Sequence, residues 1–250
     1  MVVAGARDQG ELRRFARMTN GHETIDNQRL GVLEPALAER YQTALYYADE
    51  GHLVTPTALH GIMDLAIKSG AEFEFGQGVP DDLEIERGGD VLIDCRGIAA
   101  RDALPTLRGV RGERILVRTQ DFKLDRPVRL LHPRYPFYVV PWGDGRILIG
   151  ATVIESEDIS PMTVRSALEL LGMAYALHPG FGEAEIVEMT AGVRPSFPDN
   201  IPRVLVCSGG RKVYVNGAFR HGFLLAPVLA SLTRDFISGE IDTHPLLHIE

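Results

Sequence analysis

Apolar residues along the first hundred positions follow two periods in turn, that of strands and that of helices. The pattern predicts strands at residues 2–5, 44–47, 71–75 and 90–95, and helices at residues 8–19 and 57–69. The second helix carries an apolar face at helical spacing, made by Ile62, Met63, Leu65, Ala66 and Ile67. Strands that alternate with helices are typical of an α/β layer.

The pattern changes after residue 113. Short strands at 114–119, 137–140 and 146–152, two of them joined by a glycine turn at 143–145, indicate an antiparallel sheet. A helix at 163–177, strands at 184–190, 204–207 and 213–215, and a helix at 222–238 follow. The order predicts a mixed α/β fold in which one domain is interrupted by another. We assign residues 1–110 to the first domain with an excursion into the second, 111–195 to the antiparallel domain, and 196–250 to the return.

Composition removes several classes of function. The chain has 26 Lys+Arg against 34 Asp+Glu, a net charge of −8, and no basic block with which to bind nucleic acid. Its longest apolar run, residues 223–232, is about half a membrane span. Neither Cys95 nor Cys207 belongs to a CxxC pair, so we expect buried thiols in a reducing cytoplasm. The eight His show no metal-ligand spacing.

Residues 216–227 form the first motif with chemical potential, in which glycines flank a turn from a strand into an apolar helix. The N-terminus of such a helix presents unpaired N–H groups and a positive dipole end, which suit an oxygen with partial negative charge. The alternative is a tight turn whose Arg220 and His221 side chains lie in solvent.

Arg194 and Tyr138 are the other candidates. Arg194 lies between Gly192 and Pro195 at the end of an apolar strand, and guanidinium is a two-pronged partner for a carboxylate. A structural ion pair would explain Arg194 equally well. Tyr138 begins a strand, where its phenol either bonds a substrate or is simply buried in the sheet. GxGxxG, GxSxG, the P-loop and HExxH are all missing from the sequence, which disfavours hydrolase, NTPase and metalloprotease functions.

Five segments together resemble the D-amino-acid oxidase family of flavoproteins, and most closely the glycine oxidases of thiamine biosynthesis. They are DEGHLVTP at 49–56, YVVP at 138–141, GRILIGAT at 145–152, AGVRP at 191–195 and GAFRHG at 217–222. The resemblance implies a Rossmann-like FAD domain interleaved with an antiparallel substrate domain, and FAD-dependent oxidation of a small amino acid such as glycine.

The resemblance also implies site residues. Arg194 would bind the substrate carboxylate, Tyr138 would bond it or line the pocket, and Arg220 would lie at the flavin edge. The other implied cofactor-binding residues are Gly97, Gly217, His221, Gly222, Phe223 and Leu224, the last four through backbone N–H groups that meet a flavin carbonyl.

One departure from the family concerns the dinucleotide-binding unit. The family's N-terminal βαβ unit with GxGxxG has no counterpart among these residues, so we expect this chain alone to hold FAD weakly. Two alternatives follow: a flavin-free remnant with a binding or scaffold role, and a flavoenzyme acting on N-methylated amino acids. Helices that lack their packing partner would expose apolar surface, from which we expect a homo-oligomer.

Overall fold

A computed structural model describes residues 1–78 and 90–249. Its strands are β1 (Val2–Ala4), β2 (Glu23–Asp26), β3 (Thr43–Tyr46), β4 (Leu92–Asp94), β5 (Arg108–Arg118), β6 (Val128–Leu131), β7 (Phe137–Gly143), β8 (Arg146–Gly150), β9 (Glu185–Ser196), β10 (Arg203–Cys207), β11 (Lys212–Asn216) and β12 (Leu247–Ile249). Its α-helices are α1 (Gln9–Met18), α2 (Asn27–Leu33), α3 (Pro35–Ala38), α4 (Thr55–Lys68), α5 (Val164–Leu177) and α6 (Gly222–Ile237). None of the helices in this part of the chain combines the length and the apolar character needed to cross a membrane.

The chain forms two compact units. The first contains Met1–Phe73, Gly112–Val153 and Ser160–Ala191, and the second contains the described residues of Glu74–Arg111, Ile154–Ile159 and Gly192–Glu250. The chain passes between the units within β5 and β9. Residues 1–73 therefore belong to the same unit as the antiparallel strands, whereas we assigned residues 1–110 to the first domain with an excursion into the second.

The first unit is built on an eight-stranded sheet in the order β2-β3-β1-β6-β7-β8-β5-β9. β1 and β6 are parallel. The antiparallel pairs are β1–β3, β2–β3, β5–β8, β6–β7 and β7–β8. Helix α5 covers one face, because its Leu170, Ala174 and Leu177 join the buried cluster that contains Ile115 and Ile149. Burial of each such leucine or isoleucine contributes about 1.5–3 kcal/mol, so this face supplies much of the unit's stability.

The second unit is built on a four-stranded sheet in the order β12-β10-β11-β4. β10 and β11 are antiparallel, while β11 runs parallel to β4 and β10 runs parallel to β12. Leu229 and Leu232 of α6 pack with Val204, Val206 and Val213 of the sheet. The sheet therefore holds α6 through the helix's C-terminal half.

The predicted mixed α/β class is confirmed, and the structure corrects three details. Residues 71–75 form no regular secondary structure, since alternation alone does not make a strand. The analysis missed β2 and β6, which are short and carry charged residues. Cys95 is exposed and Cys207 is half-buried, so the expectation that both are buried was wrong; Cys95 follows β4 in a loop.

The apolar face of α4 is exposed. No residue of α4 is buried. Leu65 is 64% exposed and Ile62 is 60% exposed. The helix forms as its period predicts, yet nothing among the described residues covers it.

Candidate functional site

Two glycine loops meet at one edge of the four-stranded sheet. β4 and β11 are parallel neighbours, so the loops that follow them leave the sheet at the same edge. Gly97 follows β4 with φ 63° and Gly217 follows β11 with φ 81°, a left-handed conformation that favours glycine. The side chain of Asn216 joins the loops: its Nδ2 donates to the Gly97 carbonyl at 2.8 Å, and its Oδ1 accepts from the Gly217 N–H at 2.8 Å.

Asn216 is a residue that the sequence analysis overlooked. Its side chain is 4% exposed, and it is the last residue of an apolar strand directly before a glycine. That position could have identified it, because a buried amide at a strand end must find hydrogen-bond partners in the loops nearby. Asn216 positions the two glycine loops relative to each other.

Arg96 fixes the first of these loops. Its Nε donates to Asp94 Oδ2 at 2.9 Å, and its Nη2 donates to both carboxylate oxygens of Asp102 at 3.1 Å. The hydrogen bonds to Asp94 and then to Asp102 raise the pKa of Arg96. The guanidinium therefore holds the segment that carries Gly97 in place as a permanent cation. Within residues 1–78 and 90–249 no group of three or more His, Cys, Asp or Glu side chains is placed to hold a metal ion.

The turn after β11 is bonded to the strand that carries Arg194. The N–H of Phe219 donates to the carbonyl of Pro195 at 3.2 Å, and Pro195 directly follows Arg194 in β9. Arg194 itself is half-buried. Gly217 has a packing role as well, because the Phe197 ring occupies the place where a Cβ at residue 217 would lie. The structure thus brings the Arg194 segment and both glycine loops together in the second unit.

The first turn of α6 has three N–H groups without a capping side chain. His221 is the N-cap residue and its side chain makes no cap hydrogen bond. The His221 N–H is already used, since it donates to the Ala218 carbonyl at 2.9 Å, and the first bond along the helix runs from Leu225 N–H to the His221 carbonyl at 2.9 Å. The N–H groups of Gly222, Phe223 and Leu224 lie between these two bonds, and they carry the positive end of the helix dipole.

These three N–H groups fit the flavin end of the FAD that the resemblance implies. They offer hydrogen bonds to a carbonyl oxygen, and a Cβ added at Gly222 would meet no atom within 4 Å, so nothing packs against the backbone at that residue. Arg220 and His221 have exposed side chains. The 250 residues contain no GxGxxG turn to fit the pyrophosphate.

Tyr138 lies in the first unit, on β7. Its ring is pressed against Gly150 of the neighbouring strand: a Cβ at residue 150 would lie 2.6 Å from Tyr138 Cζ and 2.7 Å from its hydroxyl. Only glycine permits this approach, so the phenol has a fixed place on the sheet. Because Arg194 belongs to the other unit, the meeting of these two side chains in one pocket stays a prediction.

The comparisons with known proteins indicate one family. Residues 1–236 match the family described as FAD dependent oxidoreductase. The chain is 49% identical over 230 residues to the putative thiamine biosynthesis oxidoreductase ThiO of Rhizobium etli, a match that covers 92% of this chain and 68% of that protein. It is 27% identical to the glycine oxidase of Geobacillus kaustophilus, a match that covers 82% of this chain and 59% of that protein.

The fold comparison gives the same picture. The crystal structure of glycine oxidase from Bacillus cereus matches with a TM-score of 0.83 at 22% sequence identity, over 98% of this chain and 75% of that one. At such low identity the likeness shows a shared fold. The chain spans part, and not all, of each of these relatives.

Proposed function

The chain belongs to the FAD-dependent oxidoreductase family, and from this premise we propose that it serves the oxidative deamination of a small amino acid such as glycine, as a step of thiamine biosynthesis. The hydrogen bond from Phe219 to Pro195 carries the proposal. It ties the strand of a carboxylate-binding arginine to the turn that leads into the three uncapped N–H groups of α6. The 49% identity to ThiO supports the same reading. Cys95 and Cys207 do not form a disulfide, which fits the reducing cytoplasm in which we place the protein.

The overall reaction is glycine with O₂ and water giving glyoxylate, ammonia and H₂O₂. FAD, when bound, supplies the acceptor for the hydride that leaves the α-carbon, and the same two electrons pass to O₂. The amine nitrogen loses one proton, and water then adds to the imine carbon and releases ammonia. Two protons accompany the two electrons on O₂, so atoms and charge balance.

The protein's own groups bind and orient. Arg194 pairs with the substrate carboxylate through two parallel N–H···O bonds. By the resemblance, Tyr138 would bond the substrate carboxylate or line the pocket, and Arg220 would lie at the flavin edge. The N–H groups of Gly222, Phe223 and Leu224 would hold a flavin carbonyl and would stabilise negative charge on that oxygen. By the resemblance, Gly97 and Gly217 would belong to the cofactor-binding loops at the sheet edge.

The test is Arg194→Ala, with FAD supplied in excess because this chain lacks the GxGxxG turn. Loss of the arginine leaves a partly desolvated carboxylate without its partner, at a cost of about 2–5 kcal/mol. We expect kcat/KM for glycine, followed as H₂O₂ release, to fall about 100-fold or more. FAD affinity, read from flavin absorbance, should stay unchanged, and Arg194→Lys should restore part of the loss.

Arg234→Ala is the matched control, since Arg234 is an exposed arginine of α6 that pairs with Asp235. It should leave kcat/KM at the wild-type value. An Arg194→Ala protein with unchanged kcat/KM, or one whose activity falls only as far as its melting temperature does, would remove Arg194 from the site. A flavin absorbance spectrum that does not change on mixing the protein with saturating FAD would favour the flavin-free binding protein instead.

A further inference from the structure

The loops that follow β4 and β11 lead to opposite faces of the four-stranded sheet. After β4 the chain enters the short 3₁₀ helix Gly97–Asp102, whose Ala100 belongs to the same buried cluster as Tyr214 of β11. After β11 the chain enters α6, which packs in a different cluster with Val213, the residue before Tyr214. Successive side chains of a strand point to opposite faces, so the 3₁₀ helix and α6 lie on opposite sides of the sheet. Parallel strands whose loops part in this way leave a crevice at their carboxyl ends, where α/β proteins bind ligands.

The side chain of Asn216 bridges the two loops at that crevice. The backbone register between β4 and β11 ends with Asp94 opposite Tyr214. Two residues beyond Tyr214, the Asn216 amide continues the connection, because it donates to the Gly97 carbonyl and accepts from the Gly217 N–H, each at 2.8 Å. The amide therefore links the loops beyond the point where the backbones stop pairing.

Only a group that both donates and accepts can make these two bonds together. The Gly97 carbonyl needs a donor and the Gly217 N–H needs an acceptor, and the asparagine amide supplies one of each. Asn216 is 4% exposed, so water has little access to either bond, and loss of one leaves a buried polar group without its partner. A carboxyl group in the same place accepts in either charge state, but it donates only when it is protonated.

We propose that Asn216 is a positioning residue for the cofactor: its amide holds the loops that carry Gly97 and Gly217 in one arrangement before FAD binds, and FAD affinity depends on both hydrogen bonds. The inference rests on the proposed function, which assigns FAD to these loops. Asn216 acts through the loops, since its amide nitrogen and its amide oxygen both bond to protein groups. Loops that are already in place lose less freedom when the cofactor binds, so a broken bond should appear as weaker binding.

The test is Asn216→Asp, with FAD affinity measured from the change in flavin absorbance at about pH 8 and about pH 5. At the higher pH the ionised carboxylate faces the Gly97 carbonyl and cannot donate, so we expect FAD to bind about tenfold or more weakly than to the wild type. At the lower pH the buried carboxyl group of the variant is protonated and donates again, and most of the affinity should return. Asn216→Leu has neither polar group and should bind FAD weakly at both pH values.

Charged groups near Asn216 are present in every variant that is compared. Those on the loops and strands around it are Asp94, Arg96, Asp102, Arg194, Arg220 and His221. Any effect of their own titration on FAD binding occurs in the wild type as well. Each affinity is therefore expressed relative to the wild type at the same pH.

Asn200→Asp is the matched control. Asn200 is an exposed asparagine of the second unit, and its Oδ1 accepts from Ser196 Oγ at 2.8 Å and from Arg108 Nη2 at 2.6 Å. Because these bonds use the side-chain oxygen as an acceptor, a carboxylate keeps both of them. The control should bind FAD as the wild type does at both pH values.

Hydrogen exchange follows the loops without FAD. In Asn216→Asp at about pH 8, exchange at residues 97–103 and 216–221 should be faster than in the wild type, while residues 229–237 of α6 keep their protection. Equal loss of protection at residues 229–237 would make Asn216 a residue of general stability and would overturn the inference. If Asn216→Asp does not fold at this pH, Asn216→Ser has a shorter side chain that reaches one loop and not both, and it should weaken FAD binding by a smaller factor.

Three further results would overturn the inference: wild-type FAD affinity in Asn216→Asp at the higher pH, no recovery of affinity at the lower pH, or the same pH dependence in Asn200→Asp. Failure of the proposed function gives a different result. In that case the wild type releases no H₂O₂ from any amino acid with FAD in excess, while its FAD affinity still depends on Asn216.

Discussion

Helices α4 and α5 have the same length, 14 residues, and similar apolar composition, and both belong to the first unit. Their surroundings are opposite. α5 buries Ser166, Leu170, Ala174 and Leu177 against the sheet. α4 buries no residue. The difference shows that a helical period in the sequence determines the helix and its apolar face, whereas burial depends on a partner surface that lies elsewhere in the chain or in another molecule.

α6 shows both situations within one helix. Leu229 and Leu232 in its C-terminal half are 4% and 5% exposed, but Phe223 and Leu224 in its first turn are 45% and 77% exposed. The exposed turn is the same one that presents the uncapped N–H groups. Apolar surface beside unpaired donors is typical of a surface that receives a ligand or another chain.

The largest expected effect is on α5, the helix whose apolar face is buried. Leu170→Ala in α5 should lower the free energy of unfolding by about 2–5 kcal/mol, because the substitution removes buried methyl groups and leaves a cavity. Leu65→Ala in α4 should change it by about 0.5 kcal/mol or less, since that side chain is already exposed. Urea unfolding of both variants measures the difference. Equal losses would mean that α4 is covered in solution.

The exposed apolar face of α4 predicts self-association. Ile62→Glu with Leu65→Lys places an ion pair at helical spacing on α4 in place of two apolar side chains. We expect the variant to bind less of a hydrophobic dye and to form fewer oligomers in sedimentation velocity, with stability nearly unchanged.

Leu168→Lys is the control for that variant. Leu168 is an exposed leucine of α5, 67% exposed, on a helix whose apolar face is already covered. Its replacement should leave dye binding and association as they are. A wild-type chain that is strictly monomeric and binds no dye would show that the α4 surface has no role in association.

The sequence predicted local structure well where the period of apolar residues agrees with the glycine and proline residues that bound an element. The helix at 163–177 and the glycine turn into α6 are in the predicted places, because each depends on neighbouring residues alone. The prediction failed where the structure of a segment depends on a partner that is distant in the sequence. Residues 71–75 alternate as a strand does but form no regular secondary structure, and Arg111 is 3% exposed although nothing local requires it.

The site follows the same division. Gly217 and Arg194 were candidates from glycine and proline placement, whereas Gly97 was implied by the family resemblance. The bonds that join them could not be foreseen. Asn216 connects two loops that are 119 positions apart. Such contacts depend on strand order, which no local pattern specifies.

The smallest expected effect concerns an ionisable group inside the core that α5 completes. Glu34 is fully buried between Leu30 and Leu37, two residues of that core. Its carboxylate oxygens accept from the Asp125 N–H at 3.1 and 3.2 Å, and Arg126 Nε lies 3.5 Å from Oε2. Burial nevertheless dominates and raises the pKa of Glu34 above its usual value of 4.5.

A raised pKa means that the folded state binds this proton more tightly than the unfolded state does. The stabilisation that this bound proton gives the folded protein is therefore complete below the usual glutamate pKa. It is lost as the pH rises through the higher folded-state pKa. The glutamine side chain in Glu34→Gln stays neutral at every pH, so the variant cannot lose this stabilisation. Urea unfolding from pH 4 to pH 8 should show the variant gaining stability relative to the wild type as the pH increases. The exposed Glu39→Gln should follow the wild-type curve, and parallel curves for Glu34→Gln would mean that Glu34 is already ionised at little cost.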